Sequence, residues 1–140
     1  MRISARCDYA CKALLELALH WPSKEPVQIH SISERQNIPM KYLVQILLQL
    51  KRTELVESLR GKQGGYILAR PPDKISLGEV LRNIGGPLLP KANSATKKEL
   101  VFATIWEEVE EAMSKVLDKV TFENIANKAK GIKRAIVYQI

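Results

Sequence analysis

Residues 39–68 read PMKYLVQILLQLKRTELVESLRGKQGGYIL, and the hydrophobic period changes once inside them. Leu43, Ile46, Leu47 and Leu50 recur at the i, i+3, i+4, i+7 spacing of one buried helical face, which predicts a helix over 39–52. Beyond Thr53 the pattern shortens. Residues 55–59 read as an extended segment, 60–65 as a basic turn carrying three glycines, and 66–68 as extended again. Two short strands around such a turn predict a hairpin.

The predicted helix turns a different set of residues outward: Met40, Lys41, Tyr42, Gln45, Gln49 and Lys51. A helix fits the major groove of DNA, where glutamine can read adenine and lysine can reach guanine or phosphate. On the turn, Arg60 and Lys62 place two cations beside Gly64 and Gly65. Glycine permits positive φ and close backbone approach, and a narrow minor groove attracts an inserted arginine. Taken singly, each feature is an ordinary solvated surface. Their order along the chain joins them.

Upstream, residues 4–20 read as a helix capped by Ser4 and stopped by Trp21-Pro22. Val27-Gln28-Ile29 is a short extended stretch. Ser31 or Ser33 caps a short helix ending at Gln36, Asn37 suits a left-handed turn, and Pro39 suits the first turn of the next helix. Helix, strand, helix, turn, helix and hairpin in succession make a winged helix-turn-helix.

Downstream, Ser76 caps a helix with Leu77, Val80, Leu81 and Ile84 apolar. Gly85-Gly86-Pro87 ends it and opens a linker over 85–96. Residues 97–119 form one long amphipathic helix, with Val101, Ile105, Val109, Ala112, Met113 and Val116 on or beside its apolar stripe. Thr121 caps a short helix to about Lys128, and residues 131–140 read as a strand or a tail. The expected division is a winged-helix domain over 1–84, the linker, a helical segment over 97–130 and the tail. The fold class is mainly α with one small β-hairpin.

The composition agrees with a nucleic-acid partner. The chain of 140 residues carries a net charge of +7, and residues 1–90 hold 13 Lys and Arg against 8 Asp and Glu. A cationic surface attracts polyanions. No apolar run reaches the length of a membrane span, and the N-terminus lacks the pattern of a secretory leader, so the expected compartment is the cytoplasm. No nucleophile–base pair, phosphate loop or paired-carboxylate arrangement suggests an enzyme.

In these stretches the chain resembles the Rrf2 family of bacterial transcription regulators. The resemblance rests on Met1-Arg2-Ile3-Ser4-Ala5-Arg6 with Tyr9-Ala10, and on Ile32-Ser33-Glu34-Arg35-Gln36-Asn37-Ile38. It continues through Lys41-Tyr42-Leu43 with Gln45, Leu59-Arg60-Gly61 with Gly64-Gly65-Tyr66, and Ile75-Ser76-Leu77-Gly78-Glu79-Val80. It covers about residues 1–120. It implies double-stranded DNA as partner, and a homodimer held by the long C-terminal helix, with Val101, Ile105, Val109, Ala112, Met113 and Val116 at the contact. A two-fold dimer reads a palindrome with half-sites about one helical turn apart. Pro39, Lys41 and Val44 depart from the small polar or acidic residues many members carry, which leaves the operator open.

Many members bind an iron–sulfur cluster through three cysteines before the long helix. Residues 85–105 of this chain contain no cysteine, so that cluster is not expected and no cofactor is assigned. Cys7 and Cys11 lie one helical turn apart. They could offer two ligands to a metal or serve as a redox pair, or they could pack as small apolar residues. Control by a protein partner or a small-molecule effector is equally open.

Overall fold

A computed structural model describes residues 3–89 and 97–138 of the chain. Its first helix, α1, spans Ala5–His20. The Ser4 hydroxyl accepts from the Cys7 amide at 3.2 Å and satisfies one of the free N-terminal donors. Ala10, Ala13, Leu14, Leu17 and Ala18 form the buried face of α1, against which the rest of the domain packs.

Val27 pairs with Tyr66 through two backbone hydrogen bonds of 2.9 Å, adding a one-residue third strand to the hairpin. That pairing holds the chain extended as far as Gln28, and α2 begins directly afterwards, spanning Ile29–Gln36. Its cap residue is therefore Gln28, without a side-chain bond, and the caps expected at Ser31 or Ser33 are corrected. Ser33 lies inside the helix and donates instead to the Ile38 carbonyl at 2.6 Å. Asn37 takes the left-handed conformation, φ 53°, that turns the chain into α3.

Helix α3 spans Met40–Arg52, with Pro39 at the cap position, one residue outside the expected start. Leu43, Ile46, Leu47 and Leu50 are all buried. The helix ends in a Schellman turn made without glycine: Glu54 takes φ 62°, and the Leu55 amide donates to the Leu50 carbonyl. Strands β1, Val56–Leu59, and β2, Gly65–Leu68, then pair antiparallel with Val56 opposite Leu68 and Leu59 opposite Gly65. A single 3-10 turn over Pro72–Lys74 leads to α4, Leu77–Gly85, capped by the Ser76 hydroxyl accepting from the Glu79 amide.

Helix α5 spans Lys97–Lys119 and α6 spans Phe122–Tyr138. At their junction the Leu77 amide donates to the Val120 carbonyl and the Phe122 amide to the Ile75 carbonyl. This stitches the junction to the start of α4. Phe122 and Ala126 consequently lie in the same core as α1 and α3. The reading of 131–140 as a strand or tail is corrected: the last helix continues well past Lys128 to Tyr138. One glycine costs a helix only about 1 kcal/mol, so Gly131 does not stop it. Residues 90–96 of the expected linker, and the last two residues of the expected tail, lie outside the described residues.

Candidate nucleic-acid interface

The surface of α3 divides into three strips. The buried strip anchors the helix. Opposite it, Lys41, Val44, Gln45, Leu48 and Arg52 are exposed, with Leu48 at 40%. On the flank toward α1, Tyr42 stacks on Tyr9 with ring centroids 6.1 Å apart, and the Lys41 ammonium lies 4.9 Å from the Tyr42 ring. Tyr42 is thus braced from one side while 48% of its surface stays open. An open groove of about 630 Å³ runs between the two helices, lined by Ala5, Arg6, Tyr9, Tyr42, Gln45 and Ile46.

Gln49 stands apart from the other outward candidates. Its carbonyl accepts from Arg6, and its amide donates to the Asn83 carbonyl at 3.1 Å. Both ends are engaged within the domain, so Gln49 ties α3 to α1 and α4. Met40, Lys41 and Gln45 are exposed as expected from the helical period. The structure adds Arg6 and Tyr9 beside the helix and Arg52 along its outward line. A helical wheel carried to the end of α3 would have found Arg52. Nothing in a local pattern would have brought α1 to this face.

On the hairpin, Arg60 and Lys62 are exposed at the tip. The glycines divide the work of the turn. Gly61 carries positive φ, 121°. Gly64 and Gly65 are required for close approach within the chain, because a Cβ there would strike the Leu59 and Val27 carbonyls respectively. Their part in any DNA contact is to shape the tip that presents Arg60 and Lys62.

Cys7 belongs to the interior, and Cys11 is half-buried one turn further along α1. Cys7 is buried, and a Cβ on Gly85 would come within 2.6 Å of its sulfur, so the thiol fills the gap between α1 and the end of α4. Burial pushes the Cys11 thiol from its ordinary 9.0 up to about 12, with Cys7 and Asp8 adding to the rise. A thiol held so firmly in its protonated form is a poor nucleophile. Among the described residues, no three His, Cys, Asp or Glu side chains gather to hold a metal. One chain thus offers two thiols on adjacent turns of one helix, where an iron–sulfur cluster takes four ligands.

Helix α5 presents the opposite surface character. Val101, Ile105, Val109, Ala112 and Val116 are exposed, as are Leu100, Phe102 and Trp106 beside them. Met113 is half-buried and lines a small apolar groove with Ile3, Leu81, Leu88, Val116 and Leu117.

A helix-turn-helix with a cationic β-wing defines a winged-helix DNA-binding protein. Comparison with known proteins gives the family. The family model described as Rrf2, iron-dependent transcriptional regulator, matches residues 3–128. The transcriptional regulator CymR of Bacillus subtilis is 32% identical over 144 aligned positions covering all of both chains. A solved CymR of that organism, described as its global cysteine regulator, superimposes with a TM-score of 0.80 at 31% identity, covering 91% of this chain and 98% of the other. The solved IscR of T. potens gives 0.76 at 34% identity, covering 92% and 88%. The chain belongs to the Rrf2 family. It is a helix-turn-helix transcription regulator and not an enzyme.

Proposed function

We propose that this chain works as a homodimeric repressor on a palindromic operator, with α3 in the major groove and the tip of the hairpin in the minor groove. The observation that carries the reading is the division of α3. Its apolar strip is fully spent on the core, and its outward line of Lys41, Gln45 and Arg52 is free, flanked by the braced Tyr42. A helix fixed this firmly needs no ordering of its own backbone when its side chains meet base edges. Arg60 and Lys62 supply cations where a minor groove would lie. The exposed apolar face of α5 supports a second copy across a two-fold axis.

The proposed regulator carries no resident iron–sulfur cluster, whatever the metal dependence of other members. The donor set described above supports this, as does the absence of cysteine from residues 85–105. The burial of Cys7 and the protonated state of Cys11 weigh against a redox sensor at this pair, and leave an effector molecule or protein partner as the source of control. No helix among the described residues is long and apolar enough to cross a membrane, which accords with work in the cytoplasm.

The test is binding to duplexes selected from a random pool, followed across a salt series. The expected result is a palindrome with half-sites about one turn apart, bound by two chains, with affinity falling steeply as salt rises. Binding indifferent to sequence and salt would overturn the reading. Protein purified without oxygen should be colourless, and stoichiometric iron and sulfide would overturn the cluster-free part.

A further inference from the structure

Glu16 is the one charged side chain buried among the described residues, at 4% exposure. It sits on α1, away from the outward line of α3, and the DNA contacts proposed above do not use it. Burying a carboxylate is costly unless hydrogen bonds replace its water. Here they do. Arg35 donates to one oxygen at 3.2 Å and the Gln36 amide donates to the other at 3.2 Å. His20 completes the cluster. Its Nδ1 lies 2.9 Å from the Glu16 carbonyl, to which it can only donate, so Nε2 is free to accept from Arg35 at 3.1 Å.

The two donors are the last residues of α2, immediately before the left-handed turn at Asn37 that launches α3. Ile32 is the single fully buried residue of α2 and Ile29, at its start, is half-buried on the same core, and apolar contacts resist separation far better than rotation. The Val27 pairing holds the other end of the segment. Ser33 ties this end of α2 to its own turn, and the carboxylate supplies the directional side-chain bonds that join it to α1.

We propose that Glu16 is a positioning residue for operator recognition: by fixing the end of α2, its carboxylate sets the angle at which α3 is offered to DNA. This rests on the operator reading above. Misalignment of α3 would weaken contacts to base edges. Contacts to phosphate are less demanding of angle, so non-specific binding would be spared.

The experiment compares the full chain and its variants on a selected operator and on a scrambled duplex of equal length. Measurements are made at fixed salt and well below each melting temperature, with active fractions from stoichiometric titration. Glu16→Gln leaves one amide oxygen to serve two donors. It should lower the operator-to-scrambled affinity ratio roughly ten-fold, the equivalent of one charge-assisted hydrogen bond, with scrambled affinity unchanged. Arg35→Ala removes one donor from a half-exposed side chain and should lower the ratio a few-fold. If Glu16→Gln fails to fold, Arg35→Ala decides. A folded variant with the parent ratio, or equal losses on both duplexes, overturns the inference. A parent chain that treats both duplexes alike overturns the operator reading and the inference with it.

Discussion

Helices α3 and α5 are both amphipathic, yet they stand in opposite relation to the core. In α3 the periodic apolar residues Leu43, Ile46, Leu47 and Leu50 face inward and are covered, although Met40, Tyr42, Val44 and Leu48 stay exposed beside its polar and cationic groups. In α5 they remain uncovered along most of its length, with Val101 at 59% and Val116 at 65% exposure. An apolar stripe in a sequence therefore does not say whether its own domain will cover it. The core of this chain is complete around α1, α3 and α4 and is closed by Phe122 at the start of α6. Helix α5 is reached only after that core is nearly filled, and its stripe is surplus to it.

That contrast can be broken by substitution, and the largest effect belongs to the covered face. Leu47→Ala should lower the unfolding free energy by about 2–5 kcal/mol, the range for a buried leucine, in a urea titration. A loss near zero would mean the α3 face is not committed to the core. The uncovered face should respond differently. Ile105→Glu combined with Val109→Glu should leave the fold intact, give a monomer in sedimentation, and weaken operator binding about 100-fold or more, as expected when two linked half-site contacts become one. A persistent dimer of unchanged affinity would place the two-fold contact elsewhere.

Smaller effects sharpen the contrast on the polar side. Arg60→Ala should cost about 1–3 kcal/mol of operator binding at fixed salt with no change in unfolding, if the tip reads the groove. Unchanged affinity would reduce the tip to a connecting turn. Last is Cys11, whose effect is confined to alkaline pH. Its proton is held more tightly in the folded than in the unfolded chain. Its contribution to stability is then complete below pH 9 and declines as pH rises toward about 12, where the folded thiol also ionises. Cys11→Ala should flatten that part of the stability–pH curve. An unaltered slope would show the thiol to be less enclosed than its surroundings indicate.

Much of the fold was legible because it depends on short-range signals. The spacing of Leu43, Ile46, Leu47 and Leu50 specified the buried face of α3, Asn37 the turn before it, and Ser4 and Ser76 two helix starts. Failures came where a distant residue decided the local outcome. The pairing of Val27 with Tyr66, 39 positions away, ends the extended segment and makes caps at Ser31 or Ser33 unnecessary. Gln49 looked free on a helical wheel, but Arg6 and Asn83 occupy its amide. Arg6 and Tyr9 could not be assigned to the α3 face before α1 was placed. Glu16 gives no local signal of its role, since the donors that hold its carboxylate, Arg35 and Gln36, lie on another helix. The continuation of α6 past Lys128 was missed through a local weakness at Gly131 that the helix tolerates.

The stitched junction between α5 and α6 has a mechanical consequence. Thr121 pairs with Ser76, Arg82 holds Asp118 at 2.6 Å, and Gly78 is small enough to sit beneath the Asp118 side chain. Helix α5 is thus fastened at one end. With 23 residues it is about 35 Å long, so a tilt of about 5° at the fastening sweeps its far end through about 3 Å. In the proposed dimer that far end belongs to the two-fold contact, and such a sweep would change the separation of the two reading heads. A methyl group added at Gly78 would act as a wedge beneath the fulcrum, felt most strongly where the two chains meet.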